Sequence, residues 1–296
     1  MSVDFSLLSK PNIIEELDYE TLLEDRKTAF IALFDTEQQE TISATLARES
    51  EPLTKLLEES CYREIILRKR INQATLSTLL AFAEKTDLDA VVANYGITRL
   101  TVSAATTDTA AVYETDDALR YRASLVFDSL SVAGPTSAYE YHALSSDGRV
   151  ADAKASSPAP AEALVTILQN DTKTGAATDA LLTVVQSYLN DDVRRPVADR
   201  LTVQSVDVVT FELDATIFTN SLPESDTLIT AAKTAIQSYL DESRRIGRSI
   251  YLSKIYNLLH VSGVVHVEIS SPTADVEISA VQVAHCTNIT INSGEA

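Results

Sequence analysis

Glycine is scarce in this 296-residue chain, with seven in all, and no two stand closer than the fourteen positions separating Gly134 from Gly148. Loops that cradle a phosphate need glycines within a few residues of one another, so that backbone N–H groups can approach the anion. That spacing excludes the standard nucleotide-binding enzymes. The four histidines, His142, His260, His266 and His285, show no i, i+4 pair and no Cys-x-x-Cys companion, the spacings that set two zinc ligands on one face. His285 and Cys286 are adjacent, and in a strand they would point to opposite faces. Cys61 and Cys286 are the only cysteines, and two reduced, partly buried thiols fit a cytoplasmic origin better than a disulfide does. There is no Gly-x-Ser-x-Gly elbow, and Cys61 has no histidine near it in sequence, so the common nucleophile motifs are missing. The acidic neighbours Glu15/Glu16, Glu58/Glu59 and Asp191/Asp192 read as solvated helix faces, because acid–base work needs one buried, pKa-shifted partner. No apolar run approaches the roughly 18 residues that cross a bilayer, and the N-terminus lacks a signal peptide's basic flank and apolar core. A soluble protein made in a cytoplasm is expected, with no catalytic, cofactor-binding or metal-binding residues.

Charge and length bound what remains. The net charge is −19, spread along the chain, so nucleic acid and anionic membrane should be repelled. At about 100 to 200 residues per domain, two or three domains are expected, and a 45% hydrophobic content supplies each with a core.

Residues 1–95 read as helical. Asp18 caps a first helix from about Tyr19 to Phe34 carrying Leu22, Leu23, Phe30, Ile31 and Phe34 at helical spacing. A second helix opens near Ser50 or Glu51 with Pro52 in its first turn and runs to about Ala83. Leu53, Leu56, Leu57, Leu67, Ile71, Ala74, Thr78 and Phe82 form one stripe on it, and Arg63, Arg68, Lys69 and Arg70 crowd together with few neighbouring acids. Such a rod would be roughly 45 to 50 Å long, more than one small domain needs to cover its core. The excess suggests packing against other chains, with an intramolecular bundle as the alternative. A short helix capped by Thr86 or Asp87 follows, carrying Leu88, Val91 and Val92, and Gly96 stops it.

Beyond Gly96 the texture changes. Residues 97–114 read as a strand or extended linker, Asp116 or Asp117 caps a helix, Gly134-Pro135 breaks it, and Thr136 opens another. Strands are expected at Arg149 to Ala155, Glu162 to Gln169, Leu201 to Val209 and Phe211 to Phe218, with a helix from Asp179 to Leu189. Helices from Asp226 to Asp241 and Leu252 to Leu259 should follow, then strands at Val264 to Ile269, Val276 to Val283 and Asn288 to Ile291. Gln-Ser-Tyr-Leu occurs at 186–189 and again at 237–240, each copy followed by an Arg-Arg pair. The recurrence suggests two related modules in which Tyr188 and Tyr239 pack helix to sheet. Gly263 reads as a turn glycine. The fold class is α+β: an N-terminal helical region followed by two small α/β modules with mixed sheets, divided at 1–95, 96–203 and 204–296.

Several segments then resemble one family. They are Glu51-Pro52-Leu53-Thr54-Lys55-Leu56-Leu57-Glu58-Glu59 continuing to Tyr62-Arg63-Glu64, Leu67-Arg68-Lys69-Arg70-Ile71-Asn72, Asp87-Leu88-Asp89, Ala133-Gly134-Pro135-Thr136-Ser137-Ala138-Tyr139, His142-Ala143-Leu144, Arg149-Val150-Ala151-Asp152-Ala153 and Arg195-Pro196-Val197-Ala198-Asp199-Arg200-Leu201. In order and spacing they resemble the baseplate J-like wedge proteins of contractile-tail bacteriophages and phage-tail-like bacteriocins, from about residue 10 to 270. Longer relatives carry extra β-rich material near residues 100–115, which is short here. The resemblance implies a structural protein in which two copies join one smaller wedge protein through an N-terminal helical bundle, and six wedges close a ring around the tail tube or hub. It implies contacts with neighbouring wedges, and with hub and sheath proteins. The candidate partner interface is then Leu53, Leu56, Leu57, Arg63, Leu67, Arg68, Arg70 and Ile71. A hydrolase with a carboxylate pair between the α/β modules, or an acidic adaptor unrelated to phage tails, is the alternative.

Overall fold

A computed structural model describes residues 5, 8–11, 18–130, 135–219 and 222–295. The chain divides into two compact units, Met1–Thr98 and Arg99–Ala296.

The first unit is helical. Helix α1 (Tyr19–Ile31) ends three residues short of the expected Phe34, and a further helix, α2 (Thr36–Leu46), stands where the sequence gave no clear signal. Only Leu46 of α2 is buried, so no apolar stripe announces it. Helix α3 (Pro52–Leu76) opens with proline in its first turn as expected. It stops at Leu76 rather than Ala83, which makes it 25 residues and about 37 Å long. Ser77 and Thr78 turn their hydroxyls back onto the carbonyls of Ala74 and Thr75, the local competition that ends helices. Helix α4 (Lys85–Ala93) starts after Glu84, two residues before the expected Thr86 cap. Gly96 then takes a positive φ of 72°, as the end of this segment requires.

The second unit holds two three-stranded sheets. It begins with a short hairpin of β1 (Thr101–Ser103) and β2 (Val112–Tyr113). Helix α5 (Asp116–Ser124) is capped by Thr115, whose hydroxyl accepts from Ala118 N–H at 3.3 Å, not by Asp116 or Asp117; a 3-10 turn at Val126–Leu130 follows. The break at Gly134 lies outside the described residues, and Pro135 precedes α6 (Thr136–Ser146). In the first sheet β4 (Glu162–Gln169) is central. It runs antiparallel to β3 (Val150–Ser156) and parallel to β5 (Arg200–Ser205), which it reaches through α7 (Asp179–Leu189). In the second sheet the 13-residue β6 (Asp207–Thr219) is central. It is antiparallel to β7 (Val264–Ser271) and parallel to β8 (Gln282–Glu295) along its whole length. Helices α8 (Leu222–Ser243) and α9 (Leu252–Leu259) join β6 to β7. The α+β architecture of helical region and mixed sheets thus stands as read from the sequence.

Two expected strands divide differently. The run from Leu201 to Val209 breaks at Val206, where the chain passes from β5 to β6. Val276 makes only an isolated bridge to Ile250, and Asn288 to Ile291 belongs to the longer β8. The repeated Gln-Ser-Tyr-Leu also means less than its letters suggest. Both copies sit on a helix that follows a central strand, but the first ends α7 while α8 continues three residues past Leu240. One helix carries β4 to a parallel neighbour, whereas the added α9 returns the chain antiparallel to β6. The equivalent pairs Leu181 with Ala232, Val185 with Ile236 and Leu189 with Leu240 pack into the respective cores. Tyr239 packs on its core as expected, but Tyr188 lies under the Arg194 guanidinium, 3.8 Å from its ring centre.

The two sheets meet along a small seam of Leu168, Val206, Ile246 and Val283. Inside it the buried Asp152 accepts from Ile246 N–H at 2.9 Å and Ala153 N–H at 3.0 Å. Arg244 donates to the carbonyls of Thr172 (3.1 Å) and Lys173 (2.8 Å), and Arg245 lies over Tyr121.

Candidate partner interface

Helix α3 has two distinct apolar faces. One is internal: Leu57, Cys61 and Ile65 pack against Tyr19, Leu22 and Leu23 of α1, and the buried Thr54 hydroxyl donates to Leu46 O at the end of α2 (3.2 Å). Burial pushes the Cys61 thiol up, against the pull of Arg26, so it behaves as a small apolar core residue. The other face looks outward. Leu53, Leu56, Leu67 and Ile71 are 38%, 63%, 59% and 41% exposed, and at 3.6 residues per turn they lie on one line, roughly a quarter to a third of a turn from the internal face. The eight-residue prediction therefore divides: Leu57 turns inward, while the other three leucine and isoleucine positions nearest it in the prediction, with Leu53, stay open.

The cations behave differently from the sequence expectation of few neighbouring acids. Arg63 pairs with Glu59, and Arg68 is bound to Glu64 through Nε (2.9 Å) and Nη2 (2.6 Å). Glu64 also receives Arg26 of α1, which bonds Ser60 as well. The i, i+4 spacing explains both helical pairs. The Arg26–Glu64–Arg68 chain closes the edge where α1 meets α3. Beside it lies an open concavity of about 630 Å³ lined by Arg26, Ser60, Arg63, Leu67, Arg68 and Ile71 among others. Four of the eight predicted residues thus share one hollow. Arg70 lies next to the outward stripe on the helical wheel but does not line the hollow.

Two residues escaped the sequence reading. Tyr62 (61% exposed) and Ile66 (37%) form an i, i+4 pair on the flank away from α1. Their spacing was the available signal, but the longer leucine stripe drew the register. The outward apolar surface of α3 is therefore broader than predicted.

The second unit holds buried acids of its own. Asp152 and Glu140 are both buried, and burial, then Glu140, pushes the Asp152 carboxyl up. Each is held structurally: Asp152 as above, Glu140 by Ala155 N–H (3.2 Å) and Lys154 Nζ (3.2 Å). Neither lines the hollow on α3 nor the smaller one of about 160 Å³ beside α8, in which Asp241 is the only acid. Among the described residues no group of His, Cys, Asp or Glu could hold a metal ion, and no helix is long and apolar enough to cross a membrane.

Sequence comparison gives this geometry a family. The chain matches the model of the baseplate J-like N-terminal domain at residues 49–106, of the baseplate J-like central domain at 131–205, and of the baseplate J-like protein C-terminal domain at 211–292. It belongs to the baseplate J-like family of structural proteins of bacteriophage baseplates. A relative is baseplate protein J of Escherichia phage P2, 43% identical over 296 residues that cover 99% of this chain and 98% of the relative. All of α3 lies inside the N-terminal match.

Proposed function

We propose that this chain is a wedge subunit of a contractile-tail baseplate, acting by assembly and not by catalysis. The outward stripe Leu53, Leu56, Leu67 and Ile71, open in the isolated chain and lying within the N-terminal family match, carries the reading. A second copy of the chain and a smaller wedge protein would cover that stripe in a helical bundle. Arg63, Arg68 and Arg70 flank it and would set register against acids of the partner. In this reading residues 1–95 serve the bundle, while 96–203 and 204–296 face neighbouring wedges, with hub and sheath proteins as further contacts. Assembly would take place in the bacterial cytoplasm and the subunit would end in the baseplate of the particle. The charge of −19 would keep an unassembled copy soluble. Large contiguous apolar surface on a soluble chain marks such interaction sites.

The test is co-expression with the smaller wedge protein of the same baseplate. Leu67→Asp should abolish co-purification while leaving the thermal midpoint of the isolated chain within about 2 °C, because exposed substitutions cost within about 0.5 kcal/mol. Wild-type recovery of the complex by Leu67→Asp would refute the stripe as the interface.

A further inference from the structure

Leu33 sits at the corner between α1 and α2 and is 81% exposed, more than any other large apolar residue described in the helical unit. A leucine in water at a loose corner would be ordinary. This corner is braced. Leu33 N–H donates to Phe30 O (3.2 Å), Phe34 N–H to Ile31 O (3.1 Å) and Gln38 N–H to Asp35 O (2.8 Å), while the Gln39 side chain donates to Phe34 O (2.9 Å). The Phe30 and Phe34 rings meet edge to face with centres 5.3 Å apart. The backbone therefore holds Leu33 out in a set position, and such pre-organisation lowers the cost of binding. Helix α2 behind it buries only Leu46. A helix of 11 residues is marginal on its own and gains most of its stability from packing.

Charge separates this corner from the rest of the unit. From Thr28 to Ala47 the chain carries three acids, Asp35, Glu37 and Glu40, and no lysine or arginine. All three are exposed, and none enters an ion pair among the described residues. The hollow beside α3 has the opposite character. From Tyr62 to Leu76 four cations, Arg63, Arg68, Lys69 and Arg70, face the single Glu64, and Arg26 adds another cation to the lining. Leu67 and Ile71 supply its apolar part. Arg70, next to the stripe, is exposed and has no carboxylate partner among the described residues. An apolar knob flanked by acids and an apolar hollow flanked by cations thus lie on one unit, yet Leu33 remains open to water.

We infer that the α1–α2 corner of a second copy of this chain docks in the hollow beside α3, with its Leu33 against Leu67 and Ile71 and its Glu37 and Glu40 facing Arg63 and Arg70. The occupant follows from the match of sign and shape between two surfaces of the same chain. The net charge of −19 opposes self-association at long range, but exposed charges more than about 8 Å apart are largely screened at physiological salt. Contacts of opposite sign within the docked surface then decide orientation and partner. Because knob and hollow belong to one unit, two copies can exchange corners, each giving its Leu33 and receiving the other's. That arrangement is two-fold and closes. Leu53 and Leu56 do not line the hollow and remain for the smaller wedge protein. The inference rests on the reading above that a second copy covers part of the stripe, and it names the segment that does so.

Two differently tagged copies of the full chain, co-expressed with the smaller wedge protein, test it: one tag is captured and the other copy is quantified. Leu33→Asp in both copies should lower recovery of the second copy at least tenfold, with an unchanged far-UV spectrum of the isolated chain. Glu37→Lys/Glu40→Lys in both copies should do the same, and so should Arg63→Glu/Arg70→Glu in both. One copy of each charge variant should pair again, because every contact between them then joins opposite charges. Wild-type recovery with Leu33→Asp, charge variants that pair as their parent does, or two charge variants that fail to rescue each other would each overturn the inference. If Leu67→Asp breaks the complex while the Leu33 and charge variants leave it intact, the stripe reading stands and this one falls. Wild-type copies that never co-purify would remove both.

Discussion

Replacing Asp152 by alanine should loosen the seam between the two sheets in a way that depends on pH. The wild-type carboxylate accepts from Ile246 N–H at 2.9 Å across 94 residues of sequence and from Ala153 N–H, and the residue is 6% exposed. Alanine leaves the Ile246 N–H in a buried seam without that acceptor, which costs about 1–3 kcal/mol. For a unit of this size that is a fall of roughly 2–10 °C in thermal midpoint. The carboxylate itself is not stabilised by its surroundings: burial raises its pKa above 3.8, with Arg245 and the two N–H groups only partly opposing. The folded state therefore binds the proton more tightly than the unfolded chain, and the group's contribution is greatest below 3.8 and declines as pH rises through the folded pKa. The stability gap between wild type and Asp152→Ala should accordingly be widest in mild acid and narrow towards neutrality. Urea titrations at a series of pH values measure it, and comparing the two proteins cancels the titration of the other carboxylates. A gap that is flat, or that widens with rising pH, would refute the assignment of burial as the dominant influence.

Other perturbations test neighbouring parts of the fold. Arg122→Ala should cost about 3–5 kcal/mol by calorimetry, because it strands the buried Glu114 carboxylate that Arg122 meets at 2.7 and 3.1 Å; a loss under 1 kcal/mol would contradict the pairing. Gly148→Ala should cost about 1–3 kcal/mol, as overpacking does, since its Cβ would stand 2.5 Å from Thr101 O. Hydrogen exchange should then quicken in the β1–β2 hairpin first. Asp147 is held below the usual carboxylate range by its hydrogen bonds from Arg149, so its contribution is present above 3.8 and lost as pH falls through the folded pKa. Asp147→Asn should therefore flatten that part of the acid-unfolding curve, and an unchanged curve would discount the pair.

Much of the second unit was legible because its signals are local and agree. β4 is a near-continuous apolar run, α7 is capped by Thr178, which accepts from Leu181 N–H, and the expected bounds of both match the structure. What the sequence hid depends on tertiary context. Helix α2 buries one leucine, so nothing periodic marked it. The end of α3 is set by Ser77 and Thr78 folding back on their own turn, while the stripe continued through Thr78 and Phe82 on paper. The repeat misled because four identical letters occupy helices whose onward connections differ by one added helix. At the candidate interface the line of leucines was visible, but Leu57 and Leu56, adjacent in sequence, serve opposite masters, and only the position of α1 says which.

The account turns on what covers the open face of α3. The most direct measurement is the mass of the complex recovered when the chain is co-expressed with the smaller wedge protein, by native mass spectrometry, with amide exchange on α3 before and after assembly. Two copies of the chain with one of the smaller protein, and slowed exchange spanning Leu53 to Ile71, is the result the account predicts. A stable monomer that ignores the smaller protein, or a complex in which α3 exchanges as it does alone, would contradict it.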